Sequence, residues 1–157
     1  MIRVLFVCLG NICRSPMAEA VFMQMVVRAG LQNEIEVDSA GTGDWHIGER
    51  PHHGTLEILA RNGVPTGSRA RQIHIRDLEE FDTIVVMDDS NGANVASLGN
   101  SHARVVRLLD LVPEIEDKQV PDPYFTGDFD GVYNLVQRGC AALLEQIRAG
   151  HTLIQQK

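Results

Sequence analysis

Basic residues are scarce in this chain. Across 157 residues, 14 lysines and arginines face 21 aspartates and glutamates, a formal charge of −7 with histidines neutral. Phosphate backbones and anionic surfaces recruit clustered lysine and arginine, so this balance excludes a general binder of nucleic acid or acidic membranes. Long hydrophobic runs are also missing. No apolar stretch reaches the about 20 residues that a spanning helix needs, which excludes membrane insertion. The opening Met-Ile-Arg-Val-Leu-Phe-Val has no basic n-region and leads to no small-residue cleavage site, so no signal peptide is expected.

Cysteine is sparse too: Cys8, Cys13 and Cys140 are the only three. An odd number forms no disulfide framework, and the chain reads as cytoplasmic, where thiols stay reduced. Each cysteine is then either inert core or chemistry. Aromatic residues are few, with one tryptophan, two tyrosines and five phenylalanines, so where they fall is informative. What is present is a hydrophobic fraction of 44%, enough for a sizeable core. The length suits one domain over residues 1–157.

Residues 2–8 form a nearly continuous β-prone apolar run, as in a strand buried on both faces of a parallel sheet. The polar, glycine-bearing stretch 9–15 ends it. From Pro16 to Ala29 the residues Met17, Val21, Met25 and Ala29 recur at helical spacing, with Pro16 suited to the first turn and Gly30 to the stop. The alternation continues with a strand over Ile35–Ser39, a helix over Gly54–Asn62 and a strand over Thr83–Met87. A short helix over 90–98, a strand over Ala103–Leu108 and a long helix over Phe129–Ala149 complete it. The long helix carries Phe129, Val132, Val136, Cys140, Leu143 and Ile147 as its stripe. This pattern predicts a single α/β domain whose central parallel sheet of about four strands has helices on both faces. Between Pro113 and Gly127 lies an acidic, turn-rich stretch too long for a simple connector, and such loops are often functional.

Ligands of open α/β sheets bind beyond the carboxyl ends of strands. The segment there is Cys8-Leu9-Gly10-Asn11-Ile12-Cys13-Arg14-Ser15, between strand 1 and helix 1. Such a loop aims backbone N–H groups into one concavity, and the helix dipole adds positive potential. Gly10 and Asn11 are the residues that most readily take the left-handed or bridge conformations of an anion nest. Arg14 offers a planar fork of donors matched to phosphate oxygens. Cys8 sits at the base, where so many donors favour its thiolate, a nucleophile at neutral pH. The pattern can bind an oxyanion and attack it from below. Ser15 either donates to the Cys8 sulfur or caps the helix at Pro16, and both roles are open.

The stretch C-L-G-N-I-C-R-S-P-M-A-E resembles the phosphate loop of low-molecular-weight protein tyrosine phosphatases. The likeness extends through D-S-A-G-T at 38–42, A-R-Q at 70–72, V-M-D at 86–88, S-N at 90–91 and D-P-Y-F at 122–125. It covers nearly the whole chain in order. A lone C-x5-R is a weak signal; its coupling to a distant D-P-aromatic segment is a strong one.

The resemblance implies hydrolysis of phosphotyrosine in proteins through a phosphocysteine on Cys8. Arg14 and the loop amides of Leu9, Gly10, Asn11, Ile12, Cys13 and Ser15 would hold the phosphoryl group. Inorganic phosphate would be product and inhibitor, and no cofactor or metal would be needed. It implies that Asp122, stiffened between Pro121 and Pro123, protonates the leaving phenol and then activates water. A turn-initiating aspartate is the structural alternative. It implies an aromatic slot from Trp45, Tyr124 and Phe125, against the plainer reading that such rings cover core edges. It assigns Asn11 and Ser39 to holding the loop's conformation. Where many relatives carry a histidine before A-R-Q, this chain has Ser68, and His74 is a candidate substitute. Cys13 is implied as a reversible disulfide partner of Cys8, or else is a small buried residue; Cys140 reads as core. The adjacent His52 and His53 read as surface or helix-start residues rather than a metal pair.

Two neighbouring activities are weighed against this one. Thiol-linked arsenate reductases share the loop but need further cysteines in a mobile segment, and residues 70–100 contain none. Protein-arginine phosphatases carry threonine where this chain has Ile12, whose apolar bulk suits a phenyl ring. A silent anion-binding module is disfavoured because nucleophile, arginine, serine and acid are all present.

Overall fold

Alternate residues of the first strand point to opposite sides, and both sides are apolar. In β1 (Ile2–Cys8), Val4 and Phe6 join one core cluster while Leu5 and Val7 join another. A strand this apolar belongs between two helical layers, and that is its place. The computed structural model describes residues 1–155, with side chains described for 1–150. Four parallel strands lie in the order β2-β1-β3-β4, with β2 at Ile35–Gly41, β3 at Thr83–Val86 and β4 at Arg104–Arg107. β1 pairs with β2 from Ile2↔Ile35 to Cys8↔Gly41 and with β3 from Val4↔Thr83 to Val7↔Val86.

One face packs on α1 (Arg14–Arg28), α2 (His53–Arg61) and the long final helix. The other packs on α3 (Asp77–Glu80) and α4 (Asp89–Ala96), through Leu78 and Val95. A 3-10 turn at Leu108–Leu111 and α5 (Pro123–Thr126) precede α6 (Phe129–Gln155). The α/β architecture is as expected from the alternation of strand and helix patterns. Boundaries differ: α1 begins at Arg14 rather than Pro16, and α4 ends at Ala96. Three short elements, α3, the 3-10 turn and α5, lie outside the expected pattern; each is about one turn long, below what periodicity detects. Among the described residues no helix is long and apolar enough to cross a membrane.

Because β2 and β3 flank β1, the chain leaves β1 at the point where the strand order reverses direction. This is where open α/β sheets hold ligands. The loop after Cys8 opens there.

Candidate active site

The turn from β1 to α1 bends tightly around its own sulfur. Asn11 has φ +57°, the only positive φ outside glycine among the described residues. Its backbone N–H donates to Cys8 Sγ at 3.3 Å. Gly10 does not share that left-handed conformation; a Cβ there would instead stand 3.1 Å from the His46 ring. Beneath the loop, a Cβ at Gly41 would meet the Leu9 carbonyl oxygen at 2.9 Å and the Gly10 carbonyl carbon at 3.0 Å. The end of β2 must therefore be glycine for the loop to lie so close.

The side chain of Asn11 is fully engaged. Its Oδ1 accepts from the Arg71 backbone N–H at 3.0 Å, which fixes the orientation of the amide. Its Nδ2 then donates to Ser15 Oγ at 2.7 Å and Ser39 Oγ at 2.9 Å. With Ser15 Oγ accepting from Asn11, the Ser15 hydroxyl proton is left for Cys8 Sγ, 3.0 Å away. Ser39 in turn donates to the Glu19 carboxylate. Asn11, Ser15 and Ser39 are buried behind the loop. Neither Ser68 nor His74 joins this set: His74 accepts from the Arg76 backbone N–H at 3.1 Å, at the start of α3.

Arg14 is held from the opposite side. Its Nη1 donates to Asp88 Oδ2 at 2.7 Å and to the Val120 carbonyl at 2.9 Å. Its Nη2 lies 3.4 Å from Asp122 Oδ2. Its Nε is buried and has no acceptor among the described protein atoms, a donor left over for a bound oxyanion.

A cavity of about 230 Å³ opens over Cys8. The loop contributes Leu9, Gly10, Ile12 and Cys13, the segment after β2 contributes Trp45 and His46, and the start of α5 contributes Asp122, Tyr124 and Phe125. Trp45 folds over Gly43, where a Cβ would lie 1.9 Å from the indole. Trp45 is 67% exposed and Phe125 75%, so neither ring covers a core edge. Tyr124 stands between two histidine rings, His46 at 6.4 Å and His52 at 6.0 Å between centroids. His52 caps α2 by accepting from the Gly54 N–H, and its ring stacks on Phe129 at 5.1 Å. Burial and the neighbouring His53 hold its pKa down, which favours a neutral ring.

Asp122 caps α5, its Oδ1 accepting from the Tyr124 N–H at 3.0 Å with Pro123 next in line. The turn role and a place in the cavity therefore coexist at one residue. Cys13 also borders the cavity, but burial first, then Asp122 and Cys8, push its thiol up to about 12. Cys140 is fully buried in α6, and desolvation raises its pKa. All three cysteines are free thiols. Among the described residues no three His, Cys, Asp or Glu side chains gather into a metal-holding group.

Sequence reasoning left Asp88, Glu19, His46 and Arg71 without roles. Asp88 ends the V-M-D stretch and Arg71 lies in A-R-Q, while Glu19, part-buried on α1 beside buried Ala18 and Ala20, gives no local signal of its own.

Known proteins resemble this chain in sequence and fold. The family model for low molecular weight phosphotyrosine protein phosphatase matches residues 3–153. The low molecular weight protein-tyrosine-phosphatase YfkJ of Bacillus subtilis is 49% identical over 151 residues, covering 94% of this chain and 97% of its own. The crystal structure of YfkJ superposes with a TM-score of 0.93 over 96% of each chain. PtpA of Staphylococcus epidermidis, of the same description, is 43% identical over 94% of both chains. The Drosophila arginine phosphatase DARP is 36% identical, with a TM-score of 0.84 over 92% of this chain and 96% of its own. The chain belongs to the low molecular weight protein tyrosine phosphatase family.

Proposed function

We propose that this chain, as one domain over residues 1–157, hydrolyses phosphotyrosine in proteins by way of a phosphocysteine on Cys8. The observation that carries the reading is the donor set around the Cys8 sulfur and the unpartnered Nε of Arg14. The Cys8 sulfur attacks phosphorus as the P–O bond to the phenol breaks. Arg14 and the loop amides bind the equatorial oxygens, where charge gathers in the transition state. Asp122 gives its proton to the departing phenolate oxygen. It then takes a proton from water, which attacks phosphorus while the P–S bond breaks. The Ser15 hydroxyl stabilises the sulfur as it leaves, and inorganic phosphate is released.

Trp45, Tyr124 and Phe125 would line the walls that select an aryl phosphate. Likeness to an arginine phosphatase raises phosphoarginine as a competitor substrate. Ile12 argues for the phenyl ring: it borders the cavity and packs with Cys13, Ala70 and Phe129, offering no hydroxyl to a guanidinium. Comparing turnover of phosphotyrosine and phosphoarginine peptides measures the preference, and phosphotyrosine is expected to lead.

The mechanism is tested with Cys8→Ser. Turnover of an aryl phosphate is expected to vanish while inorganic phosphate still binds. Full activity in that variant overturns the covalent route.

A further inference from the structure

We propose that Glu19 is a positioning residue of the phosphate loop, acting through Ser39 and Asn11. The inference rests on reading the loop as an oxyanion site. Counting hydrogens along the chain of contacts leads to it. The Arg71 N–H fixes the amide of Asn11, so both amide hydrogens go to Ser15 and Ser39. Ser39 Oγ must accept from Asn11, and its own proton needs an acceptor elsewhere. The carboxylate of Glu19, one turn along α1 from Ser15, is that acceptor. Without it, the Ser39 hydroxyl can turn its hydrogen toward Asn11 and compete with the amide. Asn11 is the residue at φ +57°, a left-handed conformation open to asparagine but less favoured than the right-handed one, and the contacts of its amide help to hold it there. Glu19 thus closes the set of contacts that holds it.

The charged groups around Glu19 are Asp38 on β2 and Arg71 on the loop before α3. Arg71 itself contacts Asp38 at 3.0 Å and Asp77 at 3.0 Å. Burial first pushes the Glu19 carboxyl up to about 6, with Asp38 adding to the rise, while the Ser39 hydrogen bond and Arg71 oppose it. The ionised acceptor therefore gives way to a neutral, weaker one on mild acidification, because charge-assisted hydrogen bonds are about twice as strong as neutral ones.

Sulfate is the probe, since it stays a dianion across the working range and reads the loop without reading turnover. Its affinity is followed through the amide resonances of residues 9–14 between about pH 5 and pH 8. Glu19→Gln keeps a neutral acceptor and Glu19→Leu removes it. At about pH 8 the Gln variant should bind sulfate about fivefold more weakly than the parent, and the Leu variant more weakly still. Below about pH 6 the parent should fall onto the Gln curve, while titrations common to both cancel in the difference. Simple loss of a negative charge near an anion site would tighten binding. Equal or tighter sulfate binding by the Gln variant at about pH 8 therefore overturns the proposal, and this comparison decides it even if the Leu variant does not fold. A wrong catalytic assignment would show instead as turnover surviving Cys8→Ser, with the sulfate series unaffected.

Discussion

Arg14 Nη1 lies 2.7 Å from Asp88 Oδ2, and only 3% of the arginine side chain meets solvent. A guanidinium in that setting leans on its carboxylate, because removing Asp88 leaves a buried charge with only the Val120 carbonyl and the more distant Asp122 as partners. Asp88 also caps α4, its Oδ1 accepting from the Asn91 N–H at 2.8 Å. Asp88→Ala is expected to cost about 3 kcal/mol in urea unfolding and to weaken inorganic phosphate binding. Asp88→Asn keeps an acceptor for the cap and should recover part of the stability. Equal stability of the parent and the Ala variant would remove the structural role of the pair.

Asp122 faces two tasks, and a substitution can part them. Asp122→Asn retains an oxygen for the Tyr124 N–H, so α5 should persist, but the amide has no proton to give to phenolate. Turnover of phosphotyrosine peptides should drop by about 10²–10⁴-fold. In kcat/KM, which reads the transfer to Cys8 alone, a nitrophenyl phosphate, whose leaving group departs without protonation, should lose far less. Meanwhile kcat falls for both, because hydrolysis of the phosphocysteine is common to them. Equal losses in kcat/KM on both substrates would place Asp122 outside the proton transfer to the leaving group.

The two thiols of the loop should separate sharply toward an alkylating reagent. With its pKa pushed up to about 12, chiefly by burial, Cys13 holds about one thiolate in 10⁵ at pH 7. Iodoacetate at neutral pH should label Cys8 and leave Cys13 and Cys140 unmodified, as read by mass spectrometry of the digested protein. Inorganic phosphate should protect Cys8. Labelling of Cys13 ahead of Cys8 would reverse the assignment of nucleophile and bystander.

The sequence carries local order well and long-range meetings poorly. The apolar run of β1, the strand-to-helix loop and the Cys8-to-Arg14 spacing are contiguous, so pattern and chemistry alone bring them out. The pairing of Arg14 with Asp88 spans 74 residues and exists only because β3 lies beside β1. Ser39 reaches the loop from β2 for the same reason. α5 went unseen because a single turn, capped by Asp122 and begun by Pro123, looks like any polar loop. The His52 ring, read from sequence as a helix-start residue, does cap α2; that it also packs between Tyr124 and Phe129 depends on α6 folding back across α2.

Glu19 carries a cost that stability measurements can isolate. Its folded pKa, about 6, lies above the ordinary value of 4.5 that the unfolded chain approaches. An acid raised in this way favours folding while protonated, so its contribution is fully present below about pH 4.5. It is lost as pH rises through about 6. At pH 7 the part-buried charge therefore costs up to about 2 kcal/mol relative to a neutral group. Glu19→Gln removes the titration and should be more stable than the parent at pH 7 by up to that amount, with the advantage shrinking to nothing near pH 4. Urea unfolding at the two pH values measures it. A gain in stability accompanied by weaker sulfate binding is the signature of a charge kept for the loop at the expense of the fold. A gain that is the same at both pH values would mean the carboxyl is not titrating where burial and Asp38 place it.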